Sequence, residues 1–173
     1  IVPHCADDGL SFGALQFLLK QYHLSGNTQY CQADERPEKN VSLETIKKTA
    51  NYLKHGNIVA WYQGNGEVGP RALGNRSILM DPTIIDGKEI INSKVKHRED
   101  YRPFGASILQ EFQKDYFDIE FENPHMLYIG KFKHSMPPVS HIDNTCRFQS
   151  VNTSNKDFYK LIKEFHKLTN IPM

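Results

Sequence analysis

The chain has 173 residues, 39% of them hydrophobic and 24% charged, and a formal net charge of +1 at pH 7. That composition supports one folded domain, or a small domain with a piece of another, and carries no disorder signature. It argues against a broadly basic nucleic-acid binder, and no apolar run is long enough to cross a membrane. The three cysteines, Cys5, Cys31 and Cys146, are odd in number and form no C-x-x-C pair. Zinc-ribbon and thioredoxin-type sites are therefore unsupported, and buried free thiols are expected.

In chain order, residues 1–9 read as a short strand and a turn. Asp7-Asp8-Gly9 opens a helix from Leu10 to about His23, with Leu10, Ala14, Phe17 and Leu18 on its apolar stripe. The polar stretch 25–40 reads as a linker and a domain boundary. Ser42 caps a helix over Leu43–His55 that Gly56 terminates. Ile58–Tyr62 reads as a strand that is apolar on both faces and hence internal. Ser77–Met80 is a further strand, and Gly87–Val95 a helix that turns Ile90, Ile91 and Val95 inward. Strands at Phe104–Leu109, Met126–Gly130 and Cys146–Val151 follow, with a short helix at Glu111–Phe117. An amphipathic helix over Lys156–Leu168 buries Phe158, Leu161, Ile162 and Phe165. The mixture is an α/β or α+β sheet packed against helices.

Two cationic clusters stand out against the near-neutral balance. In the first, Gly64, Gly66 and Gly69 precede Pro70 and Arg71, with Arg76 beyond. Glycines there let backbone amides approach a ligand, and a helix start beside an arginine suits an anion. The spacing is not a phosphate-binding G-K-[ST] loop, and its match to G-x-G-x-x-G lacks the helix and acidic residue that would support it. A surface loop with solvated arginines explains the pattern equally well. The second cluster is Lys94, Lys96, Arg98 and Arg102. On a continuing helix Lys94 and Arg98 share a face and Lys96 points elsewhere, with Glu99 or Asp100 available to pair with Lys96. Arg147 and Gln149 alternate on one strand and so present donors to one side. Asp7 and Asp8 could hold a metal, although helix capping is the plainer explanation. His141, alone, reads as structural.

Taken together these residues resemble a known family. The run Glu67-Val68-Gly69-Pro70-Arg71-Ala72-Leu73-Gly74-Asn75-Arg76-Ser77, then Val95-Lys96-His97-Arg98-Glu99 and Arg102-Pro103-Phe104, is similar to the carboxy-terminal region of the NodU and cephem O-carbamoyltransferases. His141-x-Asp143-x-Thr145-x-Arg147-x-Gln149 also fits. The resemblance implies a YrdC-like twisted mixed sheet with flanking helices around a concave basic cavity, over residues 41–173 and cut at its C-terminus. Residues 1–40 would then be the tail of an actin-like (ASKHA-type) domain and a linker.

The implied chemistry is formation of carbamoyl-adenylate and pyrophosphate from ATP and carbamoyl phosphate. The carbamoyl group then passes to a hydroxyl of a sugar or antibiotic-like acceptor. Arg71, Lys96 and Arg102 match the reactive cationic positions. Gly69, Arg98, Arg147 and Gln149 would bind the nucleotide, and Asp7 would help hold a metal. Mg2+ would accompany ATP, with Fe or another divalent metal in the transfer domain. The partners implied are the two substrates and the actin-like domain of the same protein, in the cytoplasm. The resemblance leaves room for a homodimer and disfavours membrane and nucleic acid. Val68, Ala106 and Asn144 depart from the family's Phe, Pro and Gly. Two alternatives stay open: a threonylcarbamoyl-adenylate synthase-like enzyme, and a non-catalytic nucleotide or RNA-binding module.

Overall fold

A computed structural model describes residues 10–23, 40–64, 70–134 and 136–173. The strand expected over residues 1–9, most of the linker and the glycine-rich segment 65–69 lie outside the described residues, as do Asp7, Gly69, Cys5 and Cys31.

The elements run α1 (Leu10–Gln21), α2 (Leu43–Lys54), β1 (Val59–Tyr62), β2 (Arg76–Leu79), α3 (Gly87–Ile91), a π-turn (Asn92–Lys96), β3 (Ala106–Leu109), a 3-10 turn (Gln110–Phe112), α4 (Gln113–Tyr116), β4 (Ile129–Lys131), β5 (Thr145–Val151) and α5 (Lys156–Thr169). This is a mixed α/β fold with two sheets. β1 pairs antiparallel with β2. In the other sheet β5 is central, parallel to β3 and antiparallel to β4.

Helix α2 starts where expected because the Ser42 hydroxyl accepts the Thr45 N–H at 3.1 Å. It packs its buried Ile46, Ala50 and Leu53 against Phe158, Leu161, Ile162 and Phe165 of α5. Both helices lie on one face of the β3–β5 pair, where Leu109 and Val151 join the same core. The opposite face of that pair, through Ala106, Ile108, Cys146 and Phe148, builds a second core with Phe117, Phe132, Met136 and Val139. Phe117 and Phe148 stack there with ring centroids 4.0 Å apart. Alternation along two strands thus assigns each residue to one of two cores.

Three expectations change. β1 is not internal: its one partner among the described residues is β2, and Tyr62 is 48% exposed. An apolar run marks burial only where a second layer covers it, and Ala60 and Tyr62 face outward here. Val95 does not point inward and is 39% exposed. The α-helix expected through Val95 widens at Asn92 into a π-turn, whose backbone closes with the His97 N–H on the Asn92 carbonyl at 2.7 Å.

Candidate anion-binding site

On the face carrying Leu109 and Val151, the side chains become polar towards the starts of β3 and β5. Gln149 pairs with Ser107 in the parallel register, and Arg147 lies one alternation earlier. Beyond the reach of α2 and α5 this face opens into a concavity of about 460 Å³. That volume falls in the range typical of small-molecule sites. Arg71, Lys96, Arg98 and Arg147 all contribute to its wall, together with Ser77, Ser107, Phe104, Met126 and His141. An apolar cavity of about 120 Å³ adjoins it and shares Ile78, Leu79, Ile91 and Phe104.

The cations arrive by three routes. Arg71 sits in the loop before β2, which is tied down through one carbonyl. The Leu73 oxygen accepts from Gln149 Nε2 and from Asn155 Nδ2, each at 2.9 Å. Gly74 then turns the chain at φ +102°, and its N–H donates to Ser77 Oγ. Lys96 ends the π-turn. His97 follows in the left-handed region at φ 47°, so Arg98 swings to the same concavity as Lys96. This overturns the expected helical geometry, in which Lys94 and Arg98 would share a face: a π-turn has a wider period than 3.6 residues, and Lys94 is not among the lining residues.

Arg98 is held on three sides. Its Nε donates to Asn92 Oδ1 and its Nη2 to the Pro103 carbonyl, each at 3.3 Å, while the guanidinium lies 4.3 Å from the Phe104 ring centroid. Arg147 projects from β5 with its Nε buried and without a hydrogen-bond partner. Arg71 is the electrostatically stressed member: burial, then the like charge of Arg147, pull its pKa below the ordinary arginine value. Two like-charged guanidiniums lining one concavity are chemically suited to an anion between them.

Two expected site residues have other placements. Arg102 pairs with Glu99 at 2.9 Å, with both side chains about half exposed, and is not among the lining residues. Glu99 is thereby engaged by Arg102. Gln149 is buried, and both ends of its amide are engaged within the protein, Oε1 by the Ser107 hydroxyl and Nε2 by the Leu73 carbonyl. Its role in this structure is to anchor the Arg71 loop. Among the described residues no group of three or more His, Cys, Asp or Glu side chains could hold a metal ion.

The residue that composition and spacing passed over is His141. Asp143 Oδ1 accepts both the Thr145 hydroxyl at 2.7 Å and the Thr145 N–H at 3.1 Å. These two bonds, the hydroxyl first, hold the Asp143 carboxyl below its ordinary pKa. The Thr145 proton is thus committed to Asp143, so the 2.8 Å contact between His141 Nδ1 and Thr145 Oγ1 makes Nδ1–H the donor. The signal was the x-Asp-x-Thr spacing after the histidine, which closes a turn through the His141 N–H on the Thr145 carbonyl at 2.7 Å.

The described residues form a mixed α/β fold in which four cationic side chains line one concavity. Comparison with known proteins narrows the class. Residues 50–173 match the family model described as Carbamoyltransferase C-terminus, and the chain belongs to that family. It is 37% identical over 138 residues to nodulation protein NolNO of Sinorhizobium fredii, covering 75% of this chain and 20% of that protein. It is 34% identical over 134 residues to nodulation protein U of Rhizobium tropici, covering 75% of this chain and 23% of that one. It is 40% identical over 116 residues to 3'-hydroxymethylcephem-O-carbamoyltransferase of Streptomyces clavuligerus, covering 65% of this chain and 22% of the enzyme. The chain therefore spans about a fifth to a quarter of the length of these relatives.

Proposed function

We propose that this chain forms the carbamoyl-activating site of an O-carbamoyltransferase, which binds ATP and carbamoyl phosphate and joins them as carbamoyl-adenylate. The observation that carries the reading is the convergence of Arg71, Lys96, Arg98 and Arg147 on one concavity from three separate segments of a chain whose net charge is only +1. The two substrates bring about six negative charges into one pocket, and at separations of about 4–6 Å their repulsion would oppose binding by several kcal/mol. Cations lining the concavity offset that repulsion and stabilise charge that grows on phosphate oxygens.

The overall step consumes one water and yields carbamoyl-adenylate, pyrophosphate and inorganic phosphate. Positioning two substrates accounts for much of the acceleration, so no protein nucleophile is required. Mg2+ with ATP would supply further charge neutralisation. The hydroxyl acceptor and any transfer-site metal involving Asp7 belong to the activity of the whole protein. Arg102 would join the site by exchanging Glu99 for a substrate phosphate.

The full-length protein should catalyse carbamoyl-phosphate-dependent exchange of labelled pyrophosphate into ATP. Arg71→Ala and Lys96→Ala should each slow exchange by about 100-fold, the scale of removing one donor from developing charge. Exchange at the normal rate in both variants would remove these residues from the site. Exchange supported by threonine and bicarbonate instead would assign the chain to a different carbamoyl-adenylate chemistry.

A further inference from the structure

The four cations of the concavity offer only donors. A carbamoyl group, however, has two N–H bonds of its own beside its carbonyl, and a site that encloses it must supply an acceptor. His141 is the one imidazole among the lining residues. Its Nδ1 is committed as donor to Thr145 Oγ1, whose own proton goes to Asp143. In the neutral ring that leaves Nε2 as a bare lone pair. Nε2 is buried and has no hydrogen-bond partner within the protein. The turn that positions the ring runs directly into β5, two residues before Arg147. Acceptor and phosphate-binding cation are thus mounted on one short, internally bonded segment.

We propose that His141 is a specificity-determining residue that accepts an N–H of the carbamoyl donor through Nε2, and so distinguishes carbamoyl phosphate from acyl phosphates of the same shape. The proposal rests on the reading of the concavity as a carbamoyl phosphate site. Thr145 and Asp143 act as positioning residues that hold the ring in the tautomer with a free Nε2. Ser107 is the rival acceptor: its hydroxyl also lines the concavity, with its proton given to Gln149 Oε1.

Acetyl phosphate tests the idea because a methyl group replaces the amino group at nearly constant volume. In the full-length protein, KM for carbamoyl phosphate and the inhibition constant of acetyl phosphate are measured in the pyrophosphate exchange assay. His141→Leu should raise the carbamoyl phosphate KM about 10-fold or more, as expected for an N–H left unpaired in an enclosed site. The acetyl phosphate inhibition constant and the ATP KM should stay within about twofold, because neither depends on that N–H. His141→Gln, which keeps an oxygen near the Nε2 position, should restore most of the preference. Thr145→Val should weaken it while keeping the ring, and with His141→Gln it supplies the readout if the leucine variant does not fold.

Equal changes for both acyl phosphates would make His141 a structural residue and overturn the proposal, as would unchanged constants. A selective loss in Ser107→Ala but not in His141→Leu would move the acceptor to Ser107 and overturn it too. Absence of carbamoyl-phosphate-dependent exchange in the wild-type protein would instead overturn the underlying reading of the site, and this inference with it.

Discussion

Arg71 keeps its charge against two opposing influences, partial burial and the neighbouring Arg147. The loop that holds it there turns on Gly74, at φ +102°. A Cβ at this position would stand 2.2 Å from Cδ1 of Phe158, in the first turn of the α5 core face. Neither the backbone conformation nor the space admits a side chain. Gly74→Ala should therefore cost about 3 kcal/mol or more, combining left-handed strain with overpacking. Urea denaturation measures this, and an unchanged midpoint would mean that the loop repacks without Phe158. Asn144 offers a contrast. It lies at φ 60°, where the family resemblance expects glycine, and asparagine tolerates this region with little strain. That departure thus preserves the turn that presents His141.

At the scale of elements, the joint between α2 and α5 depends on one buried carboxylate. Asp157, in the first turn of α5, accepts the Val41 N–H at 2.7 Å and the Lys160 ammonium at 2.9 Å. Burial opposes its ionisation, but the bonds from Lys160 and Val41 outweigh it and hold the pKa below the ordinary 3.8. A depressed carboxylate pKa contributes stability that is present above pH 3.8 and is lost as pH falls through the folded-state value. Asp157→Ala should cost about 1–3 kcal/mol at neutral pH, mainly through the unpaired Val41 N–H. The difference from wild type should shrink in acid, below about pH 4. Stability measured across that window checks the sign, and a constant difference would remove Asp157 from the acid response.

For the whole molecule, convergent cations predict that folding and anion binding are linked. Pyrophosphate should raise the melting temperature, and a ligand at 100 times its Kd adds about 2.7 kcal/mol. The shift should fall as NaCl screens the site, and it should be smaller in Arg71→Ala. Equal stabilisation of wild type and variant would place the anion elsewhere.

Much of this was legible in the sequence because it is local. The Ser42 cap, the Gly56 stop and the apolar stripe of α5 depend on residues within a few positions of one another. Single-period reasoning failed at the π-turn, where the helix widens and Lys96 and Arg98 come to one concavity. It also failed at β1, where burial depended on a layer that does not cover the strand. Gln149 shows the same limit: its position on the strand was readable, but its partners at Leu73 and Ser107 are not sequence neighbours.

By itself, the sequence determined most element types, the family and which residues carry charge, since propensity, caps and motif order are properties of short segments. Only the tertiary structure decided which cations meet, that Arg71 and Arg147 repel each other, and that Nε2 of His141, which lines the same concavity, is buried without a protein partner. Those depend on distances between segments up to about 76 positions apart, closed by bonds such as Gln149 to Leu73. Sequence periodicity does not encode such distances.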